Sequence, residues 1–500
     1  MLRTSSYTIY VDLPGNEEDM LLVHGYTGAF DLVSRRVATY LRSLEPKKAP
    51  KPLYGNWTPE PAHDGGVNPI SEEETGVLRQ RGYLTELSVE DERTYLSEAV
   101  NKLHYIRALR MPLYIFMPTY NCNLRCFYCF QDHMRTNPAF KHLLRTMDRP
   151  TVDRLFNAMP KIEQLHGVGP GEERNRNIGF FGGEPLLEEN RPIVEYIMTK
   201  ALSEGKASFW AVTNGTDLHA YSELLGPGKI ANIQITLDGT PAEHDRRRIY
   251  ADGSGSFERI ARNMSMALEL GVEVQVRVNV DLNNIEQLPQ IARIAIERGW
   301  DQYKNFDLHT APINAHNEKT EKKTTMSTWE LGEAMKQMRQ QYDEMRVYRL
   351  PDAGMKARAR QVFTHKLDPT PGFKTGFCSA HDRMYIFDVF ANIYACWDRT
   401  GDPDIRIGSV NEEGDIKSNP KILQMWRSRT AVSNPVCEKC RYVMHCGGGC
   451  AVLSENSTGL FFGNFCDDFG KRFRASVAEA FVEHVSGVEA EEFAESVCDQ

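Results

Sequence analysis

Three cysteines on one short stretch are the residues of this sequence best suited to chemistry. Cys122, Cys126 and Cys129 have the spacing C-x3-C-x2-C and follow the apolar run 113–117. Three thiolates on one loop can hold three corners of a cubane 4Fe–4S cluster. The fourth iron then lacks a protein ligand, so this stretch predicts an iron that is open to a substrate or cofactor.

Two other interpretations fit the same stretch. A zinc site would need a fourth nearby ligand, which His133 could supply. Alternatively, the cysteines could be scattered buried thiols, since cysteine is among the residue types most often found in protein interiors. The motifs farther along the chain favour the iron–sulfur interpretation over both.

The C-x3-C-x2-C stretch resembles the cluster motif of the radical S-adenosylmethionine (SAM) enzymes. Tyr128, an aromatic residue just before the third cysteine, fits that motif as well. The resemblance implies that the open iron chelates the amino and carboxylate groups of SAM. It also implies that an electron from the cluster splits SAM into methionine and a 5′-deoxyadenosyl radical, which abstracts hydrogen from a substrate.

A glycine-rich motif follows the second predicted strand. Gly182-Gly183-Glu184-Pro185 resembles the GGE motif of the family, which binds the SAM amino group. A carboxylate can accept hydrogen bonds from a cationic amine, and glycines let the backbone approach a ligand closely. Taken alone, these residues could be only a turn. Because they follow the cysteine loop, Gly182, Gly183 and Glu184 are predicted to bind SAM.

Polar residues at the next strand ends extend the predicted SAM site. Family members contact the SAM ribose and carboxylate from these positions, and relatives hold the carboxylate with an arginine. Within the run 246–248, Arg248 fits the usual offset best, although three arginines in a row could also be a solvated charged surface. The residues that the resemblance implies here are Asn214, Thr236, Asp238, Arg248 and, near the adenine, Asn279.

A second block of seven cysteines lies downstream, and its internal spacing is the most specific signal in the chain. It resembles the SPASM extension of radical SAM maturases, which holds two auxiliary 4Fe–4S clusters, whereas a zinc ribbon would use only four of the seven. By this resemblance, the cluster more distant from SAM is held by Cys437, Cys440, Cys446 and Cys466. The nearer cluster is held by Cys378, Cys396 and Cys450.

The second block departs from the SPASM pattern in two ways. The glycine that the family places five residues before its second cysteine is Ala391 here. Fully ligated relatives also carry an extra cysteine soon after the first, where this sequence has Ser379-Ala380-His381-Asp382. The nearer cluster is therefore predicted to have an open iron, or to take His381, Asp382 or a substrate group as its fourth ligand. A substrate thiolate would suit iron well.

Oxidative radical chemistry needs an electron acceptor and usually a base. Extra clusters with suitable potentials can take the electron after the carbon radical forms, and a nearby side chain can take the proton. Sulfatase-maturing relatives have an aspartate directly after the second SPASM cysteine, whereas this sequence has Trp397 followed by Asp398. Asp398 is the predicted catalytic base, and a structural surface acid is the alternative.

Repeated strand–helix units must position these motifs. The predicted strands are 113–118, 178–182, 208–213, 233–237, 272–280 and 306–310, and the predicted helices are 152–165, 191–202, 256–270 and 284–298. Such alternation predicts an α/β fold with parallel strands and right-handed crossovers. Six units resemble the partial (β/α)6 barrel of radical SAM enzymes, where functional residues follow the carboxyl ends of strands.

Residues 1–100 contain no metal-ligand pattern. The predicted elements are strands at 7–13 and 20–24, helices at 29–44 and 71–82, and a short strand at 83–85. The polar, proline-rich stretch 46–69 is typical of a loop. This order resembles the winged-helix domain that recognises leader peptides in ribosomal-peptide modification, and a plain structural cap on the barrel is the alternative.

Together these patterns predict five segments. They are a winged-helix-like peptide-recognition domain (1–100), the radical SAM partial barrel (110–315), a linker with a bridging helix (316–370), a SPASM domain with two auxiliary clusters (371–480) and an acidic C-terminal tail (481–500). Cys498, the cysteine outside the spaced groups, lies on that tail and is predicted to be a spare thiol.

Composition and charge exclude several classes of function. The 500 residues, 41% hydrophobic and 25% charged, are ordinary for a soluble globular protein of two to four units. A net charge of −9 argues against a nucleic-acid-binding surface. The sequence has neither the apolar core of a signal peptide nor a run long enough to span a membrane. It thus predicts a cytoplasmic protein without nucleic-acid or membrane partners, whose eleven cysteines are metal ligands or catalytic groups rather than disulfides.

The leading functional hypothesis is a radical SAM/SPASM peptide maturase with three 4Fe–4S clusters and SAM as cofactors. It would bind a precursor peptide or protein through residues 1–100, receive electrons from a donor such as flavodoxin or ferredoxin, and install a thioether or carbon–carbon crosslink. One alternative is oxidation of a residue in an enzyme subunit, as in sulfatase maturases, or of a small molecule. A non-enzymatic electron carrier or scaffold is the third, but a carrier needs no SAM motif at Glu184.

Overall fold

The computed structural model describes residues 1–46, 69–314, 322–364 and 372–487. Parts of the predicted loop and linker and most of the predicted tail, with Cys498, lie outside these residues. The strands are β1 Arg3–Thr4, β2 Thr8–Asp12, β3 Asp19–His24, β4 Phe30–Ser34, β5 Leu84–Thr85, β6 Leu113–Phe116, β7 Asn175–Phe180, β8 Lys206–Thr213, β9 Ile230–Thr236, β10 Glu273–Val280, β11 Phe306–Pro312, β12 Tyr348–Arg349, β13 Met384–Phe387, β14 Asn392–Tyr394, β15 Gly408–Val410 and β16 Ile416–Ser418.

The α-helices alternate with these strands in the middle of the chain and dominate its end. In chain order they are α1 Arg35–Ser43, α2 Glu72–Arg81, α3 Val89–Ala108, α4 Asp132–Thr136, α5 Arg149–Leu165, α6 Arg191–Ser203, α7 Pro241–Arg247, α8 Phe257–Glu269, α9 Leu288–Glu297, α10 Thr328–Gln341, α11 Ala353–Phe363, α12 Pro420–Arg427, α13 Val443–Cys446, α14 Ala451–Thr458 and α15 Phe469–Val485. Within the described ranges, none is long and apolar enough to cross a lipid bilayer.

Residue contacts divide the chain into two compact units. The first unit contains Met1–Arg107, Asp352–Cys378 and the described residues from Ser428 onward. The second unit contains Ala108–Pro351 and Ser379–Arg427. Each unit is therefore built from segments that are distant in sequence, and each is described by itself below.

The second unit is built on one large sheet. Its described strands lie in the order β12-β11-β10-β9-β8-β7-β6-β13-β14-β15-β16. Every pair from β12 to β13 is parallel, and the remaining pairs are antiparallel. The predicted α/β fold with a partial parallel barrel is confirmed, because the six predicted strands correspond to β6 to β11. The short strands β12 and β13, which continue the parallel run at its two ends, were not predicted.

Side-chain alternation explains why these strands form. In β10, the side chains on one face are valines, Val274, Val276, Val278 and Val280, and all of them are buried. The residues between them are polar, so one face of the strand joins the apolar core and the other carries functional groups. This second face is where the site residues described below lie.

The first unit contains a small antiparallel sheet, β2-β3-β4, and the separate pair β1-β5. The predicted helix 29–44 is wrong at its start, since residues 30–34 form β4 and α1 begins only after the N-cap residue Ser34. Pairing with β3 outweighs the helical periodicity of these residues. The predicted helix 71–82 corresponds to α2, for which Ser71 is the N-cap residue and forms a capping box with Glu74. The helix α3, which crosses position 100, was not predicted.

The N-terminal strands share a hydrophobic core with the end of the chain. Ile9 of β2 and Val23 of β3 belong to the same buried cluster as Phe473 and Val477 of α15. An ion pair supports this part of the first unit, since Lys356 Nζ lies 2.9 Å from a Glu483 carboxylate oxygen. The sequence 1–100 therefore contributes to a core that also needs residues beyond 350.

Candidate active site

The loop after β6 carries the three predicted cluster cysteines. Cys122 and Cys126 are buried, and Cys129 is partly buried. The loop is fixed by its backbone, since Arg125 N donates to Ile249 O at 2.8 Å. Burial raises the pKa of Cys126 to about 12 and also raises the pKa of Cys122. These thiols need a nearby cation to ionise, and iron supplies that charge to its ligands.

A cation that the sequence analysis did not single out lies against these cysteines. Arg135 of α4 donates from Nη2 to the Cys129 sulfur at 3.0 Å and from Nη1 to the Tyr120 carbonyl oxygen at 3.5 Å. Hydrogen bonds to the ligand sulfurs are one of the means by which proteins adjust cluster potentials. The sequence offered only a lone arginine six residues after the third cysteine, which is no signal by itself.

The glycine motif lies directly against the cysteine loop. Gly183 N donates to Thr119 O at 3.1 Å, and Glu184 N donates to Asn121 O at 2.7 Å. A Cβ atom on Gly183 would lie 2.1 Å from the Asn121 carbonyl oxygen, and Gly182 has a φ of +144°. Both glycines are thus required by the close approach of the cysteine loop, a reason that the sequence analysis did not consider.

Glu184 is a buried carboxylate, only 2% exposed. Its Oε1 accepts from Leu186 N at 2.9 Å and from the Thr213 hydroxyl at 2.6 Å, and its Oε2 accepts from Asn214 N at 2.6 Å. Burial raises the pKa of Glu184 to about 7, although these hydrogen bonds lower it. A carboxylate that is so strongly desolvated gains much from a bound cation, as an ammonium ligand would provide.

Four predicted SAM-binding residues meet at the Tyr128 hydroxyl. It donates to the Asp238 carboxylate and accepts from Arg248 Nη1 at 2.6 Å and from Asn279 Nδ2 at 3.2 Å. Asp238 Oδ1 also accepts from Asn279 N at 3.0 Å. Burial raises the pKa of Tyr128 well above its ordinary value, so the phenol keeps its proton. The cysteine loop and the carboxyl-terminal regions of β9 and β10 thus join in one buried network.

The neighbouring arginines have other partners. Arg246 forms an ion pair with Glu243 at 2.6 Å, and Arg247 forms one with Asp281 at 2.8 Å. Arg248 instead lies 3.9 Å from Asp238, and its buried Nε has no hydrogen-bond partner among the described residues. A carboxylate ligand would satisfy this atom, so the geometry sets Arg248 apart from the two arginines before it.

Asn214 and Thr236 lie at the ends of β8 and β9. Asn214 Nδ2 donates to Asn123 Oδ1 at 2.8 Å and lies 3.8 Å from the Cys122 sulfur. Thr236 is 9% exposed and lies beside Arg277 in the register of the sheet. An open cleft of about 510 Å³ lies beside the cysteine loop, and it is lined by Asn121, Asn123, Leu187, Glu188, Glu189 and Asp217.

The predicted base lies on a turn after β14. The turn comprises Trp397–Arg399 and directly follows Cys396. The Trp397 ring stacks on Phe181, with the ring centroids 5.3 Å apart, and Phe181 directly precedes the glycine motif. Asp398 itself is partly buried. The structure therefore places this turn beside the predicted SAM loop, and the catalytic role of Asp398 stays a prediction.

The second cysteine block is divided between the units, because Cys396 belongs to the second unit and the other six belong to the first. Burial is the largest cause that raises the pKa of Cys437, followed by the charges of Cys446, Cys440 and Cys466. These four thiols thus lie close enough to interact. No His, Cys, Asp or Glu side chains in the described part of the chain are grouped to hold a single metal ion. A cubane cluster spreads its thiolates over four irons instead.

The proposed fourth ligands of the nearer auxiliary cluster lie in the second unit. His381 is buried, its Nδ1 lies 3.1 Å from the Trp426 carbonyl oxygen, and its ring stacks on the Trp426 indole. Asp382 is buried as well, and its backbone N donates to Ser379 O at 3.2 Å. The ligand set Cys378, Cys396 and Cys450 and its fourth member stay predictions.

A buried arginine lies within the second block and was missed by the sequence analysis. Arg429, 3% exposed, donates to the carbonyl oxygens of Gly449 and Phe461 at 2.9 Å and of Gly463 at 3.0 Å. Gly449 directly precedes Cys450, so the guanidinium group fixes the backbone beside a predicted ligand. A single arginine without a motif gave no sequence signal for this role.

The arrangement after β6 fits a SAM-binding 4Fe–4S cluster. Three thiols converge on one loop, and Arg135 contributes a cation beside them. The buried Glu184 carboxylate can receive an ammonium group, and the unsatisfied Nε of Arg248 can receive a carboxylate. An amino acid such as the methionine part of SAM carries both groups, so the donor set matches the group that the motifs imply.

Comparison with known proteins agrees with this geometry. Residues 116–295 match the radical SAM superfamily. The cysteine-type anaerobic sulfatase-maturating enzyme of Clostridium novyi (strain NT) is 22% identical over 375 residues, which cover 72% of this chain and 93% of that protein. The GTP 3′,8-cyclase of Bradyrhizobium diazoefficiens is 28% identical over 193 residues, which cover 38% of this chain and only 49% of that protein.

Solved structures share the fold. Native anSMEcpe with bound AdoMet has a TM-score of 0.55 at 16% identity, covering 76% of this chain and 100% of that chain. Native anSMEcpe with bound AdoMet and the Kp18Cys peptide has a TM-score of 0.53 at 16% identity, covering 75% and 98%. The superfamily match spans the cysteine loop, Glu184 and the network around Tyr128. The protein is therefore an enzyme in which residues 116–295, the part of the chain that carries this site, match the radical SAM superfamily.

Proposed function

We propose that this enzyme is a maturase that oxidatively modifies a ribosomally made peptide or protein and forms a thioether or carbon–carbon crosslink. The observation that carries the proposal is the group of interacting thiols Cys437, Cys440, Cys446 and Cys466, which lies outside the radical SAM domain. An oxidation must pass an electron to an acceptor, whereas a simple hydrogen transfer needs no second iron–sulfur centre. The family implies one 4Fe–4S cluster and SAM, and the two auxiliary clusters are part of the proposal.

The residues of the second unit would prepare the radical step. The three cysteines after β6 would hold the cluster, which with SAM supplies a carbon-centred radical that takes a hydrogen atom from the substrate. Glu184 would accept the ammonium group of SAM, because its desolvated carboxylate gains from a cation. Arg248 would receive the SAM carboxylate at Nε, while Tyr128 and Asp238 hold its guanidinium group in place. Electrons would come from a donor such as flavodoxin or ferredoxin.

The substrate peptide would bind to the N-terminal sheet. In the described part of the chain, β4 forms an edge of the sheet β2-β3-β4. Leu32 of β4 is 49% exposed. An extended peptide can add to such an edge through main-chain hydrogen bonds, and an exposed apolar side chain can provide specificity. This supports the predicted peptide-recognition role of residues 1–100.

Substitution of Leu32 by Asp tests the recognition role. We expect at least tenfold weaker binding of the precursor peptide, a loss of about 1.4 kcal/mol, because a charge would enter an apolar contact. Leu165→Asp is the matched control, since Leu165 is 72% exposed and lies in the second unit. Equal affinities of the two variants for the precursor peptide would show that β4 is not part of the binding surface. Point substitutions are preferable to deletion of 1–100, which would disrupt the core around Phe473.

Anaerobic turnover tests the proposed reaction. The reconstituted enzyme is incubated with SAM, a reductant and any short peptide that is encoded beside its gene, and the product is analysed by tandem mass spectrometry. A loss of two hydrogens localised to two residues is expected for a crosslink. Cys440→Ala should still form 5′-deoxyadenosine but no crosslink, whereas Cys122→Ala should form neither. If Cys440→Ala formed the crosslink at the wild-type rate, the second cysteine block would not be needed for the reaction.

A second candidate function is oxidation of one residue in an enzyme subunit. It is favoured by the similarity to the sulfatase-maturating enzyme of Clostridium novyi (strain NT), of which the alignment covers 93%. It is disfavoured by Trp397, which stands where those relatives carry an aspartate. A carbonyl in the product, or an unmodified peptide together with a modified protein substrate, would support this function over the crosslink.

A further inference from the structure

A polar face of the sheet continues from the predicted SAM site across β10, β11 and β12. Asn279 of β10 donates to the Tyr128 hydroxyl, and Arg277 lies on the same face because side chains alternate along a strand. In the register of the sheet, His309 lies beside Arg277, and Arg349 lies beside His309. These three side chains therefore form one layer, and the next layer along the strands contains Asn279.

His309 is held by a carboxylate on its own strand. Asp307 Oδ2 accepts from His309 Nδ1 at 2.9 Å, and the two Asp307 oxygens accept from Arg349 at 2.8 and 3.0 Å. Burial raises the pKa of Asp307, but the hydrogen bonds from His309 and Arg349 outweigh it and hold that pKa below its ordinary value. An ionised carboxylate has no proton to donate, so the hydrogen between Asp307 Oδ2 and His309 Nδ1 must lie on Nδ1.

This tautomer leaves a lone pair on Nε2 of His309. Within the described residues Nε2 has no hydrogen-bond partner, and the side chain is 14% exposed. Burial lowers the pKa of His309, Asp307 raises it, and the charges of Arg349 and Arg277 lower it again. The imidazole is therefore neutral in the free enzyme. Its Nε2 can accept a proton but cannot donate to an anion, so a proton donor rather than a carboxylate suits this position.

We propose that His309 is the proton acceptor of the oxidation and that Asp307 fixes its orientation and tautomer. The inference rests on the proposed function and adds a catalytic base to it. For a thioether, the substrate C–H bond breaks and its hydrogen atom goes to the SAM-derived radical, and the substrate S–H bond breaks and its proton goes to Nε2. The C–S bond then forms, and the one remaining electron passes to an oxidised auxiliary 4Fe–4S cluster. The imidazolium is stabilised by the Asp307 carboxylate, as in catalytic triads.

The experiment separates proton transfer from radical formation. Reconstituted holoenzyme is incubated anaerobically with SAM, a reductant and any short peptide that is encoded beside the gene. Both 5′-deoxyadenosine and modified peptide are quantified. For His309→Gln we expect 5′-deoxyadenosine formation within threefold of wild type and at least a 30-fold lower ratio of modified peptide to 5′-deoxyadenosine. Asp307→Asn, which keeps the imidazole, should lower this ratio about tenfold. His142→Gln, at an exposed histidine outside the site, should leave the ratio unchanged, and Asp398→Asn is measured in parallel as the alternative base.

Other results would overturn the assignment. An unchanged ratio in His309→Gln, or a lower ratio in Asp398→Asn alone, would show that His309 does not accept the proton. A wild-type enzyme that forms 5′-deoxyadenosine but no modified peptide would instead contradict the proposed function. Iron content and SAM affinity of each variant, both expected at wild-type values, show that a lost product does not result from a disrupted site.

A second measurement needs no substrate. Diethyl pyrocarbonate acylates neutral imidazole nitrogens, and the modified positions can be mapped by peptide mass spectrometry in the holoenzyme. We expect His309 to react at least tenfold faster than His244, which is buried and has Asp238 N at 3.3 Å from Nδ1 and the Ser256 hydroxyl at 3.0 Å from Nε2. Unmodified His309 under conditions that label the exposed His142 would show that Nε2 is not available and would overturn the proposal.

Discussion

Replacement of Glu184 by glutamine should weaken SAM binding and remove its dependence on pH below neutrality. The pKa of this carboxyl is raised to about 7 by burial. About half of the Glu184 side chains then carry a charge at pH 7 and about one tenth at pH 6, while the ammonium group of SAM stays protonated over this range. Because only the ionised form attracts the ammonium group, the affinity of the wild-type enzyme should fall about fivefold from pH 7 to pH 6.

The loss at pH 7 can be worked from the same contact. A hydrogen bond to a charged group contributes about 1.5–3 kcal/mol, which corresponds to roughly 10–150-fold in the dissociation constant. The assay is anaerobic equilibrium dialysis of the reconstituted enzyme with labelled SAM. Glu195→Gln, an exposed glutamate on α6, is the matched control and should bind like wild type. Wild-type affinity that does not change between pH 6 and pH 7, or Glu184→Gln binding within twofold of wild type, would refute the reasoning.

Three further predictions concern the clusters. Arg135→Gln should lower the reduction potential of the SAM-binding cluster by roughly 50–120 mV, because a unit charge about 6 Å away contributes up to ~2.8 kcal/mol at an effective dielectric constant of 20. The control is Arg125→Gln, which removes a guanidinium group that donates to carbonyl oxygens rather than to a cysteine sulfur. In an EPR-monitored redox titration, this variant should shift the reduction potential much less than Arg135→Gln. Equal shifts of the potential in the two variants would contradict the role of the contact between Arg135 and the Cys129 sulfur. Gly183→Ala should reduce the occupancy of this cluster, measured as EPR spin per chain, since its Cβ would lie 2.1 Å from a loop carbonyl oxygen. Cys446→Ala should lose about four irons per chain by elemental analysis yet still cleave SAM; full iron content would exclude Cys446 as a ligand.

The central strands and the cysteine motifs were predictable because each carries a local signal. Strand β10 is a run of alternating valines, and the glycine motif follows β7 at the expected strand end. The C-x3-C-x2-C spacing indicated the three cluster cysteines, because a cluster requires thiolates close together in sequence. Glu184 was identified by the resemblance of Gly182-Gly183-Glu184 to the motif of the family. In such cases a few neighbouring residues supply the periodicity or the residue types that the feature requires, so the sequence pattern predicts it.

Other features depend on partners that are distant in sequence. Residues 30–34 fit a helical stripe, yet they pair with β3 and become a strand. The sequence did not show which of the three arginines 246–248 faces the predicted SAM site, because the direction of each side chain depends on where α7 ends. Arg248 lies just beyond that end with a φ of −130°, so it leaves the helix and turns toward Tyr128. Single residues without a motif, such as Arg135 and His309, acquire their roles only through contacts made by the folded chain.

The pairing of β6 with β13 has a consequence for synthesis on the ribosome. Residues 113–116 of β6 pair with residues 384–387 of β13, and the Tyr120 hydroxyl in the cysteine loop donates to Asp388 at 3.1 Å. At about 5–20 residues per second, the ribosome needs roughly 14–54 s to add the intervening residues, about 270 in number. During this time one edge of β6 is unpaired and the nascent cysteines are open to oxygen and to competing metals. Because Asp388 anchors Tyr120, we expect the cysteine loop to reach its final arrangement only after residue 388 has been translated.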